Sequence, residues 1–467
     1  MRGLALYGGW RSMGINGQIF RQYDIRGIVG QDLTTRVAHG VGRAFAAYMA
    51  RHGVQGAVAL GRDNRPSGTA LRDALARALT ESGIDVIDIG VVPTPLLYWS
   101  LHNLPVAAGI QITGSHNPPE YNGFKLCVGT ASLYGEQIQE LYQLLEGGDF
   151  PAGAGQVSEV EIIDRYVDDI VARTGHLSRK LRVVADCGNG VGALVAPRLL
   201  DRLGVDWTGL YCVSDGTFPN HHPDPTVVEN LRDIVRAVGD KKADVGVAFD
   251  GDADRIGVID ENGDIVWGDQ LLIIYARDVL ARTGPGQPII FDVKSSQSLP
   301  DAIERAGGRP VMWKTGHSLI KEKMRELGAP VAGEMSGHMF FTEGFYGHDD
   351  ALYGAARLLR ILADSGKTVS QLLSDVPKFV STPEIRVEVP EEIKFRLVDD
   401  AARHFGGLHD VIDVDGVRVL YGDGWGLIRA SNTQPVLVLR FEARTDERLR
   451  AIRHELESWL RSQGVRV

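Results

Sequence analysis

The chain has 467 residues, 44% of them hydrophobic and 24% charged, with a formal net charge of −10. That length exceeds a single hydrophobic core, so several domains are expected of an otherwise ordinary globular composition. The acidic balance repels phosphate backbones, which argues against nucleic acid as a partner and obliges any anionic ligand to find a local basic pocket.

Short apolar runs alternate with helical patterns, the signature of α/β layers. Ala57 to Leu60 reads as a buried strand, followed by polar Gly61-Arg62-Asp63-Asn64-Arg65-Pro66 and a helix over Thr69 to Ser82. Asp85 to Ile89 is the next strand, punctuated by Pro93-Thr94-Pro95. Val106 to Ile112 then runs straight into Thr113-Gly114-Ser115-His116. A second unit repeats the plan: strand Leu181 to Ala185, tight loop Asp186 to Gly190, helix Val191 to Leu203, strand Asp206 to Tyr211, helix Glu229 to Val238, and strand Val245 to Phe249 ending at Asp250. A third has strand Pro288 to Asp292, loop Val293 to Ser296, a helix to Ala306, strand Val311 to Trp313, helix Ser318 to Leu327, then Val331-Ala332 before Gly333-Glu334. The tail differs. Strand Ile385 to Val389 and helix Glu391 to Phe405 precede an antiparallel meander from Val411 to Phe441, closed by a helix over Glu447 to Gln463. The expectation is three similar α/β domains plus a C-terminal α+β domain, over residues 1–161, 162–264, 265–377 and 378–467.

Cys127, Cys187 and Cys212 are scattered and odd in number, which fits a reducing compartment rather than a disulfide framework. No apolar run approaches the ~18 residues that span a membrane. Met1 to Asn16 lacks the apolar core of a signal peptide and reads as a ragged extension, so a cytoplasmic protein is expected.

Four clusters carry chemistry. In the first, Ser115 sits on a Gly-containing turn with His116 and Lys125 nearby in sequence, and a serine hydroxyl needs such help to act as a nucleophile. The same residues suit a plain turn. A hydrolase triad is disfavoured because adjacent Ser and His point apart in extended backbone. In the second, Asp250-Gly251-Asp252-Ala253-Asp254-Arg255 alternates three carboxylates with small residues, which lets them converge on a hard cation such as Mg²⁺ beside a phosphate that Arg255 could also hold. A solvated acidic turn is the alternative. A Ca²⁺ loop would need to run on to Glu261, and Ile256 to Ile259 reads as a strand instead. In the third, Glu334 and Ser336 stand at i and i+2, on one face of extended chain, where they could hold vicinal sugar hydroxyls or simply end a strand. In the fourth, Arg429-Ala430-Ser431-Asn432-Thr433-Gln434 is either an anion cradle or a hairpin loop. Lys294 and His317 are weaker candidates. Gly188-Asn189-Gly190-Val191-Gly192 lacks the spacing of a dinucleotide fingerprint.

These motifs, in this order from Phe20-Arg21-Gln22-Tyr23-Asp24-Ile25-Arg26-Gly27 to the Arg429 loop, resemble the α-D-phosphohexomutase superfamily over nearly the whole chain. Gly333-Glu334-Met335-Ser336-Gly337-His338 is similar to the loop of the bacterial phosphomannomutase/phosphoglucomutase group. Phosphoglucosamine mutases usually carry Gln where Met335 stands and Ala where Gly114 stands. Ala253 and Gln434 depart mildly from common family residues. The resemblance implies a heart-shaped molecule whose four domains each send a loop into a central cleft. It implies a mutase that interconverts hexose 1-phosphate and hexose 6-phosphate, supplying sugar-nucleotide precursors for polysaccharide synthesis. Ser115 would be the phosphate carrier, hexose 1,6-bisphosphate the intermediate, and Asp250, Asp252, Asp254 and the Ser115 phosphate the Mg²⁺ ligands. His116, Lys125 and Arg255 would be catalytic. Glu334 and Ser336 would bind sugar hydroxyls, and Arg429, Ser431, Asn432 and Thr433 the non-reacting phosphate. Tyr23, Arg26, Lys294 and His317 would complete the site. A monomer acting on small sugar phosphates is expected, with phosphoglucosamine mutase or a metal-dependent phosphoserine phosphatase as alternatives. The fourth domain shows few sequence signs of a shared core with the third and is expected to swing.

Overall fold

The structure is a computed structural model that describes residues 15–432 and 434–467. Nearly all of the expected ragged extension, and Thr433, lie outside the described residues. The chain gathers into two compact units. One ends at Trp267 and takes in Ser336–Gln371, and the other comprises Gly268–Met335 and Leu372–Val467. Among the described residues no helix is long and apolar enough to cross a membrane.

In the first unit, one sheet runs Ile25–Ile28, Tyr121–Val128, Val106–Ile112, Ala57–Arg62, Val86–Val91, Val157–Glu159. Its centre is parallel, as βαβ crossovers require. Two elements escaped the sequence reading. Pro93-Thr94-Pro95, taken as punctuation, opens the helix Thr94–Asn103, because proline is pre-organised for a first helical turn. Tyr121–Val128 is an antiparallel strand, hidden by its Asn-Gly start, and it sets Lys125 opposite Gln111. A second sheet runs Ile265–Val266, Ile256–Ile259, Val245–Phe249, Arg182–Asp186, Asp206–Leu210. The helix expected over Val191 to Leu203 divides into a 3-10 turn, Val191–Leu194, and an α-helix, Ala196–Leu203, whose first turn holds the proline. Helix Ala351–Ser365, which the sequence reading did not pick out, packs in this unit. Its N-cap Asp350 accepts a hydrogen bond from buried Tyr166 Oη at 2.7 Å.

In the second unit, Pro288–Asp292 is flanked by Arg309–Trp313 and Val331–Gly333, all parallel. The tail sheet places Val436–Ala443 between Gly424–Ala430 and two short strands, Val380–Ser381 and Ile385–Glu388. Helices Glu391–Gly406 and Asp446–Ser462 contribute Phe405, Ile452 and Leu456 to its core. Between the third and fourth domains the structure holds a contact of which the sequence showed few signs. Trp425 and Leu427 share a small core with Val293. Fully buried Arg418 lies 3.7 Å from the Trp425 ring centre and donates to the carbonyls of Val293 (2.8 Å) and Ser295 (2.6 Å). Sequence periodicity cannot reveal this contact, because it depends on one cation threaded between two domains.

Candidate active site

The Thr113–Asn117 turn follows the Val106–Ile112 strand, and Ser115 occupies left-handed backbone with φ 48°. That conformation costs a non-glycine residue free energy and must be held by its surroundings. Several groups hold it. Asp63 accepts from Gly114 N at 2.9 Å, and Thr113 Oγ1 accepts from Ser115 N at 2.8 Å. Arg65, its side chain fully buried, donates to the carbonyls of Ser115 (2.8 Å), Asn117 (2.5 Å), Pro118 (2.5 Å) and Tyr121 (3.0 Å). At Gly114 a Cβ would fall 2.4 Å from the Arg65 guanidinium carbon, so Arg65 could not lie where it does beside a larger residue. Arg26 donates to Gly114 O (3.2 Å) and Asn117 Oδ1 (2.6 Å).

Ser115 Oγ donates to Asp250 Oδ2 at 2.9 Å and lies 3.2 Å from His116 Nδ1. The expectation that adjacent Ser and His point apart assumed extended backbone, and the left-handed turn removes that premise. Burial, then the nearby Arg255 and Arg26 cations, lower the His116 pKa well below its ordinary value, so the ring is neutral.

The three aspartates are fully buried and offer ligand oxygens within 4.8 Å of one another. Ala253, at φ 57°, supplies the left-handed kink that folds Asp254 back, and Asp250 Oδ1 accepts from the amides of Asp254 (3.1 Å) and Arg255 (3.2 Å). Ile256–Ile259 is a strand, so no Ca²⁺ loop continues to Glu261. Lys125 Nζ donates to Asp252 Oδ2 at 3.1 Å and to Asp254 Oδ2, while Thr94 Oγ1 (2.5 Å) and Thr113 Oγ1 (3.1 Å) donate to Asp252 Oδ2. Burial alone would raise all three carboxyls. Lys125, with Thr94, holds Asp252 below its ordinary pKa, and Lys125 with His338 holds Asp254 well below. Asp250 is driven well above by burial and the two neighbouring carboxylates. Lys125 and Arg255 do not offset three buried carboxylates, and the raised Asp250 pKa answers the imbalance. A cation answers it equally. Asp252 Oδ1 is buried with no hydrogen-bond donor among the described residues, and the donor set is all oxygen. The cluster therefore suits a hard metal ion.

Sequence reasoning passed over His338. Its Nε2 lies 3.2 Å from Asp254 Oδ1 and its Nδ1 3.0 Å from Ser336 Oγ, and Arg255 Nε approaches it at 3.3 Å. Residues 335–336 form a turn, so the same-face argument for Glu334 and Ser336 does not hold. Glu334 instead accepts from Gly316 N at 2.6 Å, beside His317 at the start of helix His317–Leu327. Tyr23 lies half-buried on the bend before Ile25–Ile28.

The second unit gathers its own charged set. Lys294 donates to Glu384 at 2.9 Å and stands 3.9 Å from Asp292. Burial would lower the lysine's pKa, and these carboxylates outweigh it. Lys294 in turn pulls Glu384 down to about 2. Arg429 Nε donates to Asp415 at 2.6 Å, which also accepts from Thr315 N at 3.0 Å. Buried Lys394 props the Ser431–Gln434 turn through the carbonyls of Ser431 (2.6 Å) and Gln434 (3.2 Å), and Ser431 Oγ accepts from Gln434 N at 3.2 Å. Asn432 is half-buried on the same turn. Asp63, Arg65, Glu384, Asp415 and Lys394 were missed because each acts through a partner distant in sequence. Only the charged Asp63-Asn64-Arg65 triplet after a strand offered a local signal.

Domain profiles for phosphoglucomutase/phosphomannomutase α/β/α domains I, II and III match residues 17–152, 164–263 and 267–379, and the profile for the C-terminal domain matches 384–458. The chain belongs to the phosphoglucomutase/phosphomannomutase family. That family, part of the α-D-phosphohexomutase superfamily, consists of isomerases that work by phosphoryl transfer. Relatives at full length include the phosphomannomutase/phosphoglucomutase of Pseudomonas putida, 49% identical over 93% of this chain and 94% of the relative. The phosphoglucomutase of Neisseria gonorrhoeae is 47% identical over 96% and 98%. A solved phosphoglucomutase/phosphomannomutase family protein from Burkholderia thailandensis superposes with a TM-score of 0.90 at 44% identity, covering 96% of this chain and 98% of that one.

Proposed function

We propose that this phosphoglucomutase/phosphomannomutase family enzyme interconverts the 1-phosphates and 6-phosphates of glucose and mannose through phosphorylated Ser115 and hexose 1,6-bisphosphate. The carrying observation is the Ser115 hydroxyl held between Asp250 and a neutral His116 on a strained, buried turn. Mg²⁺, held by Asp250, Asp252, Asp254 and a Ser115 phosphate oxygen, would neutralise charge on the phosphoryl group.

The chain's own residues do the rest. Arg65 and Asp63 fix the serine turn so that its oxygen need not be reoriented at each transfer. Neutral His116 accepts the proton of the attacking sugar hydroxyl and returns it in the reverse step. Lys125 keeps its charge, because Asp252 and Asp254 outweigh its burial, and with Arg255 it offsets negative charge as the phosphoryl group moves. Glu334 and Ser336 bind ring hydroxyls. Arg429, Ser431, Asn432 and Thr433 hold the non-reacting phosphate, with Lys294, His317, Tyr23 and Arg26 completing recognition. After the first transfer the bisphosphate turns end for end and the other phosphate returns to Ser115. A monomer working in the cytoplasm is consistent with this role.

The test follows conversion of glucose 1-phosphate to glucose 6-phosphate alongside release of free phosphate, with phosphate on the purified chain located by mass spectrometry. Isomerisation without phosphate release, phosphate on Ser115, and loss of most turnover in Ser115→Ala are expected. Dominant phosphate release would make the enzyme a phosphatase, and a fully active Ser115→Ala would overturn the carrier.

A further inference from the structure

Cys187 follows the strand Arg182–Asp186, and Cys212 lies two residues beyond its parallel neighbour Asp206–Leu210, with Asp186 registered opposite Leu210. The strand ends are locked together by a hydrogen bond from Cys187 N to Leu210 O of 3.1 Å. Tyr211, in left-handed backbone at φ 52°, turns the chain so that Cys212 folds back over Gly209, where a Cβ would meet its sulfur at 2.9 Å. The two sulfurs end 3.1 Å apart as free thiols, about 1 Å longer than a disulfide bond.

We propose that Cys187 and Cys212 form a reversible disulfide when the enzyme meets a peroxide, and that this bond throws the serine turn out of register. The two thiols are not equivalent. Cys187 is wholly buried, whereas Cys212 is partly open beside exposed Val213. The hydrogen bond between the two sulfurs lowers the Cys212 pKa and, with burial, raises that of Cys187. Cys212 is therefore the attacking thiol. Its thiolate sulfur attacks one peroxide oxygen, the O–O bond breaks, and the departing hydroxide takes a proton to become water, leaving a sulfenic acid. Cys187 then loses its thiol proton and its sulfur displaces hydroxide from Cys212, which leaves as a second water. Two thiols are oxidised, one peroxide is reduced, and a dithiol reverses the change.

The path to the site is a stack of backbones without slack. Gly190 N donates to Cys187 O at 2.8 Å, and Val191 N to Gly251 O at 3.0 Å. A Cβ on Gly190 would sit 2.7 Å from Gly251 O, and one on Gly251 only 2.4 Å from Ser115 O. Drawing Cys187 toward Cys212 has no soft layer in which to dissipate before it reaches Ser115. A misplacement of about 1 Å at a reacting group can cost on the order of a hundredfold in rate.

The experiment exposes the full-length enzyme to graded hydrogen peroxide, quenches with N-ethylmaleimide, maps peptides without reduction, and follows mutase turnover before and after dithiothreitol. A Cys187–Cys212 cross-linked peptide is expected to rise as turnover falls more than tenfold, with both reversed by dithiothreitol. Cys127, buried with its sulfur 3.8 Å from Ser132 Oγ, stays alkylatable on denaturation. Cys187→Ser and Cys212→Ser keep their untreated turnover and resist peroxide. Absence of the cross-link at any peroxide level overturns the proposal. So does a cross-link that leaves turnover unchanged, or equal inactivation of both serine variants.

Discussion

Arg65 donates to the carbonyl of Ser115 at 2.8 Å from a side chain with no solvent exposure, and Asp63 accepts from Arg65 Nε at 3.1 Å. The fork that binds four carbonyls of one turn is a property of guanidinium, which an ammonium cannot copy. Arg65→Lys is expected to leave two or more buried carbonyls unpaired, at about 1–3 kcal/mol each. Turnover should drop at least tenfold with a smaller change in KM, because the serine is misplaced while the sugar contacts survive. Steady-state kinetics with thermal unfolding as a control checks this, and an unchanged kcat would refute it.

Metal removal is the second test. Asp252 Oδ1 has no hydrogen-bond donor among the described residues, and its other oxygen is shared by Lys125, Thr94 and Thr113. Chelation should abolish turnover and added Mg²⁺ restore it. Asp252→Asn should weaken Mg²⁺ binding in calorimetric titration and cut kcat. Full activity in excess chelator would remove the metal from the reading.

The Lys294–Glu384 pair gives a pH prediction. Lys294 holds the Glu384 carboxyl at about 2, against an ordinary value of 4.5. A carboxyl lowered by folding adds stability that is full above its unfolded pKa and lost as pH falls through its folded pKa. The urea stability of wild type minus that of Glu384→Gln should therefore be constant from neutral pH down to about 5 and shrink below 4.5 toward 2. A difference that persists undiminished at about pH 3 would contradict the pairing.

Sugar choice is the fourth. Glucose and mannose differ only at C2, and the proposed reading gives Glu334 and Ser336 the hydroxyls at C3 and C4. A contact that is never made cannot discriminate, whereas a buried hydrogen bond left unpaired costs about 1–3 kcal/mol. The two hexose 1-phosphates should show kcat/KM within about tenfold of each other, and glucosamine 1-phosphate should do worse. Side-by-side kinetics decides, and a preference above about a hundredfold would mean that C2 is read.

The sequence by itself determined the strands Val106–Ile112, Val245–Phe249, Ile256–Ile259 and Pro288–Asp292 to the residue. Each is a short, mostly apolar run that ends in or at a polar residue, so its signal is local. The reactive motifs that follow these strands were legible for the same reason, since Thr113–His116 and Asp250–Arg255 are contiguous. Helix Thr94–Asn103 and strand Tyr121–Val128 were not, because proline and Asn-Gly read as breaks until burial on the sheet outweighs local propensity. Only the tertiary structure brought Lys125 to Asp252 and Asp254, and His338 to Asp254. The left-handed backbone of Ser115 was likewise invisible, because Arg65, fifty residues earlier, supplies the hydrogen bond that sustains it. Such charge pairs join residues far apart in the chain, and burial makes them strong only after the packing that no local pattern encodes.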